Sequence, residues 1–304
     1  MNSSKTKKFL KQLWRCKALY LMILPAIIAV FIFHYMPIYG VQIAFKDFRP
    51  SKGIWGSAWV GLKYFKKFIE YPYFTKILRN TIWISLVSLF TFPLPVIFAL
   101  MLNEMKNLKL KKLCQTITYA PHFVSTVIVC SMTILFLNRG GLVNNIIEFF
   151  GGKPVNFMAE PSAFAPIYAI TGVWSGLGWS TIVYMAALSG VSMELIEAAK
   201  MDGANRMQVI WHVCLQCLKP TIVTMLILNI GSLLSVGFEK VFLLQNPLNM
   251  DASSVISTYV YEVGMSNHQY SYSTAIGLFN NITNIVLTVI ANTISKKVAK
   301  TGLW

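Results

Sequence analysis

The chain has 304 residues, of which 55% are hydrophobic and only 12% are charged. Soluble domains carry about 25% charged residues, so this composition excludes an ordinary soluble domain and favours a polytopic α-helical membrane protein. The formal net charge is +16, but most lysines and arginines flank apolar blocks and form no aromatic-interleaved basic surface. We therefore interpret the charge as a signal of membrane topology and expect no nucleic-acid partner.

Six apolar blocks are long enough to cross a bilayer core of about 30 Å, which requires roughly 20 helical residues. They comprise residues 18–39, 80–102, 113–137, 163–187, 221–244 and 271–294. The first block follows a basic segment, as in a signal peptide, but it is long and lacks a small-x-small cleavage site. The sequence therefore predicts an all-α membrane protein with six lipid-embedded transmembrane helices and an uncleaved first span.

The distribution of basic residues predicts the orientation. Lysines and arginines precede the first block, follow the second and follow the sixth: Lys5, Lys7, Lys8, Lys11, Arg15 and Lys17, then Lys106, Lys109, Lys111 and Lys112, then Lys296, Lys297 and Lys300. By the positive-inside rule, residues 1–17 and the tail 295–304 are cytoplasmic, and residues 18–294 form the domain in the bacterial cytoplasmic membrane. The external loop 40–79 is also basic, whereas the last external loop, 245–270, contains no lysine or arginine.

The cysteines and glycines indicate no cofactor or nucleotide site in this chain. The five cysteines, of which Cys214 and Cys217 form a C-x-x-C, have no second pair, and only His212 lies nearby to complete a zinc site. The segment 151–154 (G-G-K-P) lacks the spacing and the Ser/Thr of a phosphate-binding loop. We expect no metal site and no ATP-hydrolysing site in this chain.

Residues 189–220, between the fourth and fifth blocks, are too polar to span a membrane and too long for a turn. Glu194 and Glu197 suit the first turns of a short helix, where the helix dipole favours carboxylates. Gly203 can end that helix in the left-handed conformation. Asn205 and Gln208 resemble a capping box that opens a second helix. The pattern predicts two short cytoplasmic helices.

The same stretch contains E-A-A-K-M-D-G-A at residues 197–204, followed by spaced apolar residues and Pro220. It resembles the EAA motif of ABC importer permeases, although Ser192 and Gln216 stand where the family pattern often has proline. The resemblance implies a coupling helix whose small alanines allow close docking in an ATPase subunit. The implied docking residues are Glu197, Ala198, Ala199, Asp202, Gly203 and Ala204. An ordinary interfacial helix would not explain the motif at this position.

Further segments resemble the LplB-type polysaccharide permeases of the maltose-type importer family. They are residues 60–65 (V-G-L-K-Y-F), 139–144 (R-G-G-L-V-N), 237–240 (G-F-E-K) and 270–304. The resemblance implies a transport subunit, not an enzyme. It also implies a heterodimer with a second homologous permease, two ATPase subunits, an extracytoplasmic solute-binding protein, and an oligosaccharide or sugar derivative as substrate.

Polar stripes on the fifth and sixth blocks are candidates for the substrate path, because a polar stripe on a bilayer helix faces protein or water. The candidate residues are Asn229, Ser232, Ser235 and Glu239 on the fifth block, and Asn281, Asn284 and Thr288 on the sixth. Trp174, Trp179 and Tyr184 could stack on sugar rings. The alternative is that these amides and hydroxyls form hydrogen bonds between helices, which are common in membrane proteins.

Two other classes of function fit the sequence less well. A proton- or sodium-driven transporter usually places ionisable groups near the bilayer midplane, but here the acidic residues avoid the centres of the blocks. A membrane scaffold or receptor component would use the polar stripes only for helix packing. The EAA-like segment has no role in the first class, and co-purification of an ATPase would count against the second.

Overall fold

The computed structural model describes Trp14 and residues 16–304, so Lys5, Lys7, Lys8, Lys11 and Arg15 of the predicted basic N-terminus lie outside the described residues. Five helical runs are long and apolar enough to span a membrane: Lys17–Phe45, Phe74–Glu104, Thr126–Phe149, Arg206–Gly231 and Tyr270–Ala299. A sixth candidate is a bent pair, in which Pro161–Ser189 and Met193–Met201 meet at 72°. The predicted all-α polytopic fold is confirmed.

The α-helices are α1 Lys17–Val30, α2 Gly53–Gly56, α3 Lys63–Ile69, α4 Phe74–Leu89, α5 Pro93–Glu104, α6 Leu108–Tyr119, α7 Thr126–Leu137, α8 Leu142–Phe149, α9 Phe164–Ser189, α10 Met193–Met201, α11 Arg206–Val209, α12 Leu215–Gly231, α13 Phe238–Leu244, α14 Met250–Ser253, α15 Ile256–Tyr261 and α16 Tyr270–Ala299. Helix α1 continues through a π turn, Phe31–Tyr35, into a 3-10 segment, Met36–Phe45. Strands β1 Lys46–Asp47 and β2 Ala58–Trp59 pair antiparallel.

The third apolar block differs from the continuous helix predicted for residues 113–137. Helix α6 ends at Tyr119, a 3-10 turn covers Ala120–Phe123, and α7 begins at Thr126. Pro121 lies at the start of the turn and supplies no backbone N–H. Ser125 then caps α7, because its Oγ accepts a hydrogen bond from the Ile128 N–H at 3.4 Å.

The fifth block is displaced relative to the predicted helix 221–244. Helix α12 ends at Gly231, residues 232–237 are not helical, and α13 is a separate short helix. At the other end the helical run begins at Arg206, so Pro220 lies inside the helix and not at its entry. Cys214 and Leu218 are buried in the bundle, and this packing keeps the segment helical despite the proline.

Three apolar clusters form the core. The first, at the end of the bundle near α10, contains Val96, Ala99, Tyr184, Leu188, Val209, Cys214 and Leu218. The second contains Ile84, Cys130, Phe164, Ala165, Val236, Val241, Leu244 and Val255. The third contains Phe68, Ile77, Ile256, Val263, Tyr272 and Ile276. The first and third clusters thus anchor the connecting segments to the spans.

The long connections on one side of the spans are ordered against each other. Tyr64 of α3 donates a hydrogen bond to Asp47 Oδ1 at 2.6 Å, and Lys67 Nζ donates to Gln269 Oε1 at 3.0 Å. Lys76 pairs with Asp251. We call this side, comprising residues 46–73, 138–163 and 245–269, the loop end, and the side comprising residues 190–205 the coupling end.

The Tyr64–Asp47 contact changes the pKa of both groups. The Tyr64 hydroxyl, with Arg49 and Lys63 adding to its effect, lowers the pKa of Asp47. Burial, together with the bond to Asp47, raises the pKa of Tyr64 to about 12. The loop end therefore contains a carboxylate held in its ionised form and a phenol held in its neutral form.

Candidate functional site

Helix α10 at the coupling end has a well-defined start and stop. Ser192 caps its start, because its Oγ accepts a hydrogen bond from the Glu194 N–H at 3.2 Å. Gly203 follows its end with φ of 82°. The predicted left-handed glycine is confirmed, and it turns the chain directly into the next helix.

The predicted capping box is also confirmed. The Gln208 N–H donates to Asn205 Oδ1 at 2.9 Å, and the Asn205 N–H donates to Gln208 Oε1 at 2.7 Å. These reciprocal bonds satisfy two backbone donors at the start of α11. Together with the glycine turn, they fix the direction in which α10 leaves the bundle.

The six predicted docking residues divide between two surfaces. Glu197, Ala198, Asp202 and Gly203 are exposed, whereas Ala199 and Ala204 are half-buried against the core cluster of the coupling end. Part of the motif therefore holds the helix on the bundle, and part is free to contact another protein. The docking role itself stays a prediction.

Sequence reasoning missed the most exposed apolar side chains of this segment. Met201 is 88% exposed, and Met193 and Leu195 are also exposed. Met201 occupies a variable position of the motif pattern, between the alanines and Asp202, so the pattern alone gave no signal for it. Exposed apolar side chains at a helix end are typical of a surface that a partner covers.

Three neighbouring cavities with both polar and apolar walls lie along α9 and the fifth block. Cavity A has a volume of about 270 Å³ and is lined by Ser88, Thr91, Tyr168, Tyr184, Asn229 and Lys240 among others. Cavity B, of about 150 Å³, shares three of these residues and adds Ser85, Ser232 and Ser235. Cavity C, of about 410 Å³, shares Lys240 with cavity A and adds His122, Ser175 and Glu239. The shared linings make the three cavities neighbours in one region.

Four of the predicted path residues line these cavities. Asn229 lines A and B, Ser232 and Ser235 line B, and Glu239 lines C. Asn281 is exposed and lines none of the three. The candidates on the fifth block are therefore brought together, and those on the sixth are not.

Asn284 and Thr288 take the alternative role of joining helices. Asn284 is 8% exposed. Its Oδ1 accepts from the Leu234 N–H at 3.1 Å, and its Nδ2 donates to Ser235 Oγ at 2.8 Å. Thr288 packs directly against Gly231 at the end of α12. The side-chain amide of Asn284 thus stabilises the non-helical segment 232–237 from the neighbouring helix.

Lys240 is a cavity residue that the candidate set missed. Its Nζ donates to the Tyr168 backbone carbonyl at 2.6 Å and lies 4.3 Å from the centroid of the Tyr168 ring. Lys240 follows Asn229 by eleven residues, about three helical turns, so the helical period itself places the two residues on one face. That spacing is the signal that could have added Lys240 to the candidate residues.

Of the three aromatic candidates, Trp179 stacks on His122, with ring centroids 4.3 Å apart and planes at 7°. Tyr184 is buried in the coupling-end cluster and lines cavity A. Trp174 is 47% exposed and lines a separate, mainly apolar cavity. Among the described residues, no three His, Cys, Asp or Glu side chains are grouped so that they could hold a metal ion.

Comparison with known proteins identifies the family. Residues 91–300 match the family described as "Binding-protein-dependent transport system inner membrane component". The chain is 44% identical over 302 residues to the polygalacturonan/rhamnogalacturonan transport system permease protein YteP of Bacillus subtilis, covering 99% of this chain and 94% of that protein. It is 43% identical to protein LplB of the same organism, covering 100% of this chain and 96% of LplB.

A solved structure agrees with these relatives. A chain of a bacterial alginate ABC transporter, crystallised in complex with an alginate pentasaccharide-bound periplasmic protein, is 38% identical, with a TM-score of 0.86 and coverage of 96% of this chain and 99% of that chain. The present chain therefore belongs to the family of binding-protein-dependent transport system inner membrane components, and it is a multi-pass permease subunit of an ABC importer.

Proposed function

We propose that this permease pairs with a second, homologous permease and that the two chains enclose a path for an oligosaccharide delivered by an extracytoplasmic binding protein. The observation that carries the proposal is that cavities A, B and C bring serine, asparagine, tyrosine and lysine side chains together in a protein otherwise built from apolar helices. Hydroxyl and amide groups suit sugar hydroxyls. YteP is named for the transport of polygalacturonan and rhamnogalacturonan, and the similar solved structure is that of an alginate transporter, which supports a sugar substrate.

The proposed path residues are Asn229, Ser232, Ser235 and Glu239, to which Ser88, Tyr168 and Lys240 are added. Asn281, Asn284 and Thr288 remain candidates from the sequence, but the contacts of Asn284 and Thr288 favour a packing role. In this proposal the loop end faces the binding protein and the coupling end lies in the cytoplasm, with both chain termini.

We further propose that α10 is the contact through which two ATPase subunits, which bind ATP and magnesium, drive the permease pair. Its support is the bend of 72° away from the preceding span, the cap at each end, and the exposed Ala198 and Met201. A rigid short helix with an exposed apolar side chain can seat in a groove of a partner.

The test of coupling uses Gly203, whose φ of 82° is unfavourable for residues with a Cβ atom. Gly203→Ala should weaken ATPase retention and uptake, because the left-handed conformation costs an ordinary residue roughly 1–2 kcal/mol. Gly203→Asn is the matched control, since asparagine tolerates this conformation. Met201→Glu should weaken retention without changing the turn.

The measurements are membrane insertion, ATPase co-purification and uptake of a radiolabelled sugar by cells expressing the complete importer. Insertion should stay normal in all three variants, because each change lies outside the spans. Normal ATPase retention and uptake in both Gly203→Ala and Met201→Glu would show that α10 is not the coupling contact.

A further inference from the structure

Lys240 is a cation inside the bundle without an anionic partner. Among the described residues, no carboxylate lies within the 4.0 Å ion-pair distance of its Nζ. Its contacts are the Tyr168 carbonyl and the Tyr168 ring face, and Gly172 lies alongside, where a Cβ atom would stand 3.3 Å from Nζ. An ammonium group has three donors, so donors remain available to a further acceptor.

A charge without a counter-ion in a membrane protein is costly, and such residues usually face a pathway or bind a ligand. Lys240 lines both cavity A and cavity C. Gly172, which also lines cavity A, has no side chain, so the ammonium can lie close against it. The arrangement leaves room for an anion to approach the lysine from a cavity.

Cavity A is the side that suits an anion. Its described lining contains no aspartate or glutamate, whereas cavity C contains Glu239. Ser88, which lines both A and B, has a buried Oγ without a hydrogen-bond partner among the described residues. A buried hydroxyl without a partner costs free energy, and a bound acceptor would remove that cost.

We propose that Lys240 and Ser88 recognise a carboxylate of the transported sugar, so that the substrate class of this permease is acidic, uronate-containing oligosaccharides. Lys240 supplies the charge, Ser88 supplies a hydroxyl donor, and Asn229 between cavities A and B is available to the sugar hydroxyls. This inference rests on the proposed function, because it assigns a substrate class to the same path.

The experiment compares two probes that differ only in charge: an α-1,4-linked galacturonate trimer and its carboxyl-reduced, neutral counterpart. Uptake is measured in liposomes containing the complete importer and its binding protein. Lys240→Gln should lower uptake of the acidic trimer about 10- to 100-fold, because a hydrogen bond to a charged group is lost. Uptake of the carboxyl-reduced, neutral trimer by Lys240→Gln should change little.

Two further variants separate recognition from structure. Lys240→Arg should retain most uptake of the acidic trimer, because it keeps the charge. Ser88→Ala should lower uptake of the acidic trimer less than Lys240→Gln does. Lys297→Gln, which removes one positive charge from an exposed residue near the end of α16 that lines none of cavities A, B and C, is the matched control and should leave both uptakes unchanged.

The outcomes distinguish the two proposals. Loss confined to the acidic trimer in Lys240→Gln, with recovery in Lys240→Arg, supports the assignment. The assignment is overturned if Lys240→Gln loses uptake of both trimers equally or of neither. It is also overturned if the unmodified importer takes up only the neutral trimer. In each of these cases the proposed oligosaccharide path would stand. If the unmodified importer takes up no oligosaccharide of either class and its ATPase responds to none, the proposed function itself fails.

Discussion

The contact between Gly231 and Thr288 provides a quantitative test of how the fifth and sixth spans pack. A Cβ atom added at Gly231 would overlap Thr288 Oγ1 and would lie 3.2 Å from Thr288 Cβ and 3.4 Å from Cγ2. Thr288 cannot easily rotate away, because β-branched side chains in helices are stiff and its Oγ1 donates to the Asn284 carbonyl at 2.8 Å. Gly231→Ala therefore has to displace one helix or strain the threonine.

The magnitude follows from two opposing effects. Overpacking a filled site costs about 1–3 kcal/mol, and overlap with a hydrogen-bonded atom places this case towards the upper part of that range. Replacing a helical glycine by alanine gains only about 0.5–1 kcal/mol. We therefore expect Gly231→Ala to destabilise the protein and to lower its Tm by several degrees.

The assay is thermal unfolding of the purified complex in detergent, with a double-mutant cycle. Thr288→Ala removes both Oγ1 and Cγ2, so Gly231→Ala/Thr288→Ala should be more stable than Gly231→Ala alone. Gly277→Ala on α16 is the matched control, because no atom lies within 4 Å of a Cβ built there. Unchanged stability of Gly231→Ala, or strictly additive effects in the cycle, would refute this account of the packing.

Three further predictions concern topology, pH and a buried amide. In a cysteine-free background, a membrane-impermeant maleimide applied to intact cells should label Asn267→Cys at the loop end but not Glu194→Cys at the coupling end, and the reverse pattern would overturn the orientation. Tyr64 lowers the pKa of Asp47 below its ordinary value of 3.8, so the contact stabilises the protein above pH 3.8 and loses its effect as the pH falls through the lowered pKa. The difference in Tm between wild type and Tyr64→Phe should therefore shrink from pH 7 to pH 3. A difference that stays constant would contradict this. Asn144 is fully buried, and its Nδ2 donates to two backbone carbonyls at 2.7 and 2.9 Å. Asn144→Asp removes this donor, so it should lower the free energy of unfolding by about 3 kcal/mol or more in the same thermal assay. An unchanged stability would show that the amide is not needed.

The features that the sequence predicted correctly depend on residues close together in the chain. Long apolar blocks require helices in a bilayer, whatever their neighbours are. The Gly203 turn and the Asn205–Gln208 capping box are formed by contacts over three or four residues, so their residue types alone specify them. The class of protein, its helices and the shape of the coupling segment were therefore readable before any packing was known.

Tertiary structure decided which polar residues line a path and which hold helices together. The fifth block has no proline at its break; the non-helical segment after Gly231 is supported by Asn284, which reaches Leu234 from fifty residues along the chain. Asn229 and Lys240 are eleven residues apart, about three helical turns, so their spacing alone is compatible with one face; only the packing of the spans adds Ser88 and Tyr168 to them in cavity A. Hydrogen bonds between distant residues depend on how the spans pack, and no pattern within one span contains that information.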